Sequence, residues 1–150
     1  CKDLVKLKIL SLFSCCRIDD LSPIKDCLNL EELNVLYCEG LTDDSFKVFS
    51  EEPNSFPNLC VLNLSCCSQL TEKVFEHLAK NNHLVYQLKE LNVRGMSKIM
   101  AASATARDNV CQLKRLCRLN GIMSAVESPS EKELLEGELM RSLKNLEIIW

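Results

Sequence analysis

The chain has 150 residues, 47% of them hydrophobic, which suffices for one domain with a core of its own. Its net charge is −3, from 18 basic and 21 acidic residues with no block of like sign, and this argues against nucleic acid as the main ligand. No apolar run approaches the roughly 20 residues of a membrane helix, and four Gly with four Pro are too few for a chain of tight hairpins.

One spacing of apolar residues recurs along the chain. Unit 1 has Leu7, Leu10, Leu12 and Cys15; unit 2 has Leu30, Leu33, Val35 and Cys38. Unit 3 has Leu59, Leu62, Leu64 and Cys67; unit 4 has Leu88, Leu91, Val93 and Met96. These residues stand at positions one, four, six and nine of each unit. The first leucines, at 7, 30, 59 and 88, are 23, 29 and 29 residues apart. A period of that size marks a stacked-repeat architecture. Alternate residues of a strand face opposite ways, so positions four and six point inward, while three, five and seven, and position eight beyond them, face solvent. One unit cannot bury its leucines alone, whereas a parallel ladder of units can.

The return segments carry helix signals. Ser22-Pro23-Ile24 is short and predicts a single helical turn. Thr42 before Asp43-Asp44, and Thr71 before Glu72, read as N-caps with acids in the first turn and an apolar stripe behind. Glu51 to Pro57 reads as a loop. From Met100 to Leu119 the pattern weakens. Leu113 and Leu116 start a degenerate unit with Arg118 at position six, or else a helix runs through Val110, Leu113 and Cys117 to stop at Gly121. Glu127-Ser128-Pro129 reads as a loop. Ser130 with Glu133 is a capping box, and a helix through Leu134, Leu135, Leu139 and Leu143 follows. Leu143, Leu146 and Ile148 open a last unit at positions one, four and six. The chain opens at Cys1 beside one unit and closes at Trp150 inside another, so a longer protein with flanking repeats is expected.

The ten cysteines form no C-x-x-C pair, and with only two His a zinc site is not expected. Cys15, Cys38 and Cys67 share position nine, where cysteine acts as a small buried apolar residue. Free thiols, a reducing compartment and hence a cytoplasmic location are expected.

The run from Leu30 to Asp43, Leu30-Glu-Glu-Leu33-Asn-Val35-Leu-Tyr-Cys38-Glu-Gly-Leu41-Thr42-Asp43, and the stretch Leu59 to Thr71 resemble the cysteine-containing class of leucine-rich repeat. That class is known from the substrate-binding parts of F-box proteins in ubiquitin ligases. Residues 10–15 and 62–67 are also similar to leucine-rich-repeat proteins of trypanosome-type parasites. The resemblance implies an α/β solenoid, a horseshoe with a parallel sheet on the concave side and helices or turns on the convex side. It covers residues 4–99 well and 100–150 only as degenerate units, five to six units in one domain over 1–150. It implies recognition of a protein partner on the concave face, as a substrate-recognition or scaffold subunit of a larger complex, and no enzymatic activity. The alternative is the ectodomain of a surface or secreted receptor.

The outward positions are then the candidate partner-binding residues: Phe13, Glu32, Asn34, Leu36, Tyr37, Asn63, Ser65, Glu90, Asn92 and Arg94. Asn34, Asn63 and Asn92 share position five and become neighbours in a stack, as an amide ladder, a polar strip for a partner, or plain polar filler. Phe13, Leu36 and Tyr37 put apolar bulk on a face that should be wet, either as interface anchors or beneath a flanking segment. His77 and His83 have no nucleophile at a catalytic spacing. No Gly-rich phosphate loop is present, and no catalytic, metal or cofactor site is expected.

Overall fold

The computed structural model describes residues 4–96, 99, 102–121 and 129–149. Its centre is one open sheet of six parallel strands, joined side by side in chain order. They are β1 (Ile9–Ser11), β2 (Glu32–Asn34), β3 (Val61–Asn63), β4 (Glu90–Asn92), β5 (Arg118–Asn120) and β6 (Glu147–Ile149). The register sets Leu10, Leu33, Leu62, Leu91, Leu119 and Ile148 side by side. Residues 23 to 29 apart in sequence thereby become nearest neighbours, as the alignment of units 1 to 4 anticipates.

The ladder runs past these three-residue strands. The position-six amide of one unit donates to the position-five carbonyl of the next: Leu12 to Asn34 (2.7 Å), Val35 to Asn63 (3.0 Å), Leu64 to Asn92 (2.9 Å) and Val93 to Asn120 (3.0 Å). Position eight then donates to position seven of the next unit: Ser14 to Leu36, Tyr37 to Ser65 and Cys66 to Arg94. Position eight is left-handed each time, with φ of 56° at Ser14, 60° at Tyr37, 58° at Cys66 and 85° at Gly95. This turn takes the chain off the sheet. Only Gly95 adopts it freely; the other three bear a steric cost of about 1–2 kcal/mol each.

Positions one, four, six and nine of units 2 to 4 are all buried and belong to one continuous core, which extends to Leu143 and Leu146. Position nine has a second job. The Cys38 thiol donates to the Leu12 carbonyl (2.7 Å) and the Cys67 thiol to the Val35 carbonyl (3.1 Å), each reaching the preceding unit. A valine there would fill the space but leave that contact unmade. Burial pushes the Cys67 thiol up to about 11 and raises Cys38 as well.

The return segments pack behind the sheet. Ser22–Ile24 is a single 3-10 turn, as its shortness predicts. In unit 2, Asp43–Phe46 forms a 3-10 turn that passes into α1 (Lys47–Glu51). Unit 3 returns through α2 (Lys73–Ala79) and α3 (Leu84–Gln87), unit 4 through α4 (Ala104–Cys111), and α5 (Pro129–Ser142) precedes the last strand. Side chains tie these returns together. The Asp43 carboxylate accepts from the amide (2.9 Å) and hydroxyl (2.6 Å) of Thr71, while Thr71 Oγ1 accepts from the Lys73 amide (3.3 Å). Asn81 is fully buried. Its Nδ2 donates to the carbonyls of Phe49 (3.1 Å) and Ser55 (3.2 Å), and its Oδ1 accepts from the amides of His83 and Leu84 (both 3.0 Å).

Three expectations are corrected. Residues 104–120 hold both a helix and a strand, but α4 ends at Cys111 rather than at Gly121, and β5 pairs Leu119 with Leu91. Leu116 is therefore position one, not Leu113, and position six falls on Gly121 instead of Arg118. Gly121 is required there: at φ 89°, a Cβ would stand 2.4 Å from the Arg94 Cα. In the last unit Ile148 sits opposite Leu119, at position four rather than six. Leu134 projects into solvent, whereas Leu135, Leu139 and Leu143 are buried as expected. Cys1, Met100 and most of the loop expected at 127–129 lie outside the described residues.

Candidate functional site

Positions three, five, seven and eight form rows across the face of the sheet opposite the core. The rows divide into residues that hold the sheet together and residues left for solvent.

The position-five asparagines belong to the first group. Their Oδ1 atoms accept from the backbone amide two residues on: Asn34 from Leu36 (3.0 Å), Asn63 from Ser65 (3.0 Å) and Asn92 from Arg94 (3.2 Å). Each side chain thus caps the end of its own strand in an Asx turn. Among the described residues no amide ladder links one asparagine to the next, and each stays half-buried on the open face. Ser65 is also withdrawn from the face: it is 2% exposed, and its hydroxyl donates to Asn92 Oδ1 at 2.6 Å. Asn120 extends the row at β5 and donates to Glu90 Oε1 (3.0 Å).

At position three, Glu90 is engaged a second time. Its Oε2 accepts from Arg118 Nη1 (3.0 Å), and Arg118 Nε lies 3.6 Å from Glu147 Oε2. The hydrogen bond that Arg118 donates to Glu90, with both carboxylates nearby, raises the Arg118 pKa. These partly exposed pairs carry little stability each, but they balance the charge across β4, β5 and β6. Glu32 is half-buried on the same row, next to the exposed Ile9.

The second group lies along positions seven and eight. Phe13 is 59% exposed and Tyr37 48% exposed. Their rings meet edge to face, with centroids 6.1 Å apart and planes at 89°. Tyr37 then reaches across to unit 3, where interaction with the Cys66 thiol raises its phenol pKa against the opposing pull of Arg94. Phe13, Tyr37, Cys66 and Arg94 form a diagonal across four units, an apolar pair at one end and a guanidinium at the other. Sequence reasoning singled out Phe13, Tyr37 and Arg94 and put Cys66 on the same face, and the structure brings Cys66 in beside Tyr37. Leu36 is half-buried and less available than its position suggested.

Among the described residues no group of His, Cys, Asp and Glu is placed to hold a metal, and the nine described cysteines are free thiols. Among the described residues one serine–histidine contact is made, Ser50 Oγ to His77 Nδ1 at 2.7 Å, on the return side; the Ser50 hydroxyl donates to the Lys47 carbonyl (3.0 Å) and so is not held as a nucleophile. No described helix is long and apolar enough to cross a membrane.

No protein-family model matches the chain, and no curated protein matches it. Solved structures do. A chain of the yeast Rad7–Elc1 complex superposes with a TM-score of 0.65 at 19% identity over 90% of this chain. The leiomodin-1 actin-binding site 2 superposes with a TM-score of 0.58 at 14% identity, again over 90% of this chain and 80% of that one. The likeness is one of fold. The chain spans about a third of the length of the Rad7–Elc1 chain it matches, 33%.

Proposed function

We propose that the chain is a leucine-rich-repeat solenoid that recognises a protein partner on the open face of its sheet. The observation that carries this reading is the Phe13–Tyr37 pair. Two aromatic rings stay in contact with each other and with solvent on a face where the asparagines and Ser65 are tied into the backbone or to each other. Such rings lose little conformational freedom on binding and bury large area, which makes them interface anchors. Arg94 at the far end of the diagonal adds a charged group able to take a carboxylate in a bidentate grip. The neighbours in fold support an interaction role: one comes from a protein complex and the other is itself an actin-binding site.

The chain acts by binding rather than by catalysis, in a reducing, cytoplasmic setting, as a recognition or scaffold subunit of a larger assembly. The sequence repeats and the in-register ladder support the recognition reading, and the nine described free thiols agree with a reducing setting. The test is affinity capture with the wild-type chain and with a Phe13→Ala/Tyr37→Ala/Arg94→Ala variant of unchanged circular dichroism. A set of partners held by the wild type and lost by the variant is expected. Retention of the full set by the folded variant would end the proposal.

A further inference from the structure

A second surface lies at the edge of the sheet where the strands begin. The turns just before β5 and β6 and the residue leading into β4 line a groove of about 490 Å³. Its cations come from three units: Lys89, Lys114, Arg115 and Lys144. Its floor includes the buried Leu116 and Leu143. Among the described residues no carboxylate lines it, in a chain whose net charge is −3. The Lys114 ammonium donates to the Cys111 carbonyl at the end of α4 (3.1 Å), and none of the four cations has a carboxylate partner among the described residues. Six cations elsewhere are paired, among them Lys8 with Glu31 and Arg107 with Glu138. Four like charges held together without compensation cost folding free energy, which a ligand of opposite sign removes.

We propose that this groove binds an acidic segment of a protein, an extended peptide with carboxylates at alternate residues. Adjacent parallel strands are about 4.8 Å apart, so cations on three successive units span roughly 10 Å. Side chains two residues apart on an extended peptide are spaced by about 6.5–7 Å, so two successive carboxylates fit within that span. The apolar floor accepts the methylenes between them. Single-stranded nucleic acid, which offers the same charge, relies on aromatic stacking platforms, and among the described residues no aromatic side chain lines the groove. The site is separate from the Phe13–Tyr37 diagonal and stands whether or not that face binds.

The test is fluorescence anisotropy of a labelled peptide of alternating Glu and Leu, titrated with the whole chain at several salt concentrations. The wild type should bind with an affinity that falls steeply with salt. Arg115→Gln/Lys144→Gln should weaken binding at least tenfold, while Lys6→Gln/Lys73→Gln, with the same charge change elsewhere, should change it less than twofold. A second readout needs no variant. In acetylation followed by mass spectrometry, the peptide should protect Lys89 and Lys144 but not Lys6 or Lys73. Absence of binding at low salt, equal loss in the control variant, equal acetylation with and without peptide, or tighter binding of an oligothymidylate than of the peptide would each overturn the proposal.

Discussion

Leu62→Ala tests the stacking of the units at its centre. Leu62 is fully buried in β3, with Leu33 on one side and Leu91 on the other. Truncation removes about three carbons from a site closed on every side, so the cavity cannot collapse. The expected loss is roughly 2–5 kcal/mol. For a domain of this size each kcal/mol lowers Tm by about 2–4 °C, so a fall of roughly 5–15 °C follows. Urea unfolding is the assay, with an unchanged slope confirming that the midpoint reports stability. Two controls grade the effect. Leu10→Ala, at the half-buried equivalent position of the edge strand β1, should cost less than Leu62→Ala. Ile9→Ala, on the open face, should fall within about 0.5 kcal/mol of wild type. If Leu62→Ala costs no more than Ile9→Ala, the assignment of inward and outward faces is wrong.

Other expectations follow from the same geometry. Asn81→Ala strips partners from the Phe49 and Ser55 carbonyls and the His83 and Leu84 amides, and should lower stability by at least about 2 kcal/mol in urea melts. Because the Cys67 thiol titrates at about 11 in the folded chain, above its ordinary value near 9, its contribution is complete below pH 9 and is lost as pH rises through 11. Wild type should therefore lose roughly 2–3 kcal/mol more than Cys67→Ala over that range in urea melts at stepped pH, and parallel curves would contradict it. Ser14→Gly should raise stability by about 0.5–1 kcal/mol by relieving a left-handed residue. Gly121→Ala should lower it by at least 2 kcal/mol, because its Cβ meets the Arg94 backbone. Thermal melts of the pair read both signs.

The ladder through units 1 to 4 was legible because Leu10, Leu33, Leu62 and Leu91 each sit within an unbroken L-x-x-L-x-L or L-x-x-L-x-V pattern. Unit 5 was not. Leu113, Leu116 and Leu119 are spaced by three, so two registers fit the same leucines. Gly121 decides between them, and a glycine there reads equally well as a helix stop. The close approach of Arg94 that demands it exists only in the stacked structure. On the open face, periodicity placed Phe13, Tyr37 and Arg94 correctly but could not tell presented residues from tied ones. Asn63 and Ser65 alternate as a ligand-facing pair would, yet one caps its own strand and the other is buried against Asn92. The basic groove was invisible because its four cations are scattered between residues 89 and 144, and only the sheet assembles them.

The most direct test of the recognition face is site-specific photo-cross-linking. A benzoyl-phenylalanine at position 13 replaces an exposed ring on the open face. The same probe at position 86 replaces an equally exposed Tyr86 on the return segment α3. After irradiation with the partners captured by the wild-type chain, the account predicts a covalent adduct from position 13 and none from position 86. An adduct from position 86 with none from position 13 would place the binding surface on the other side of the molecule and contradict it.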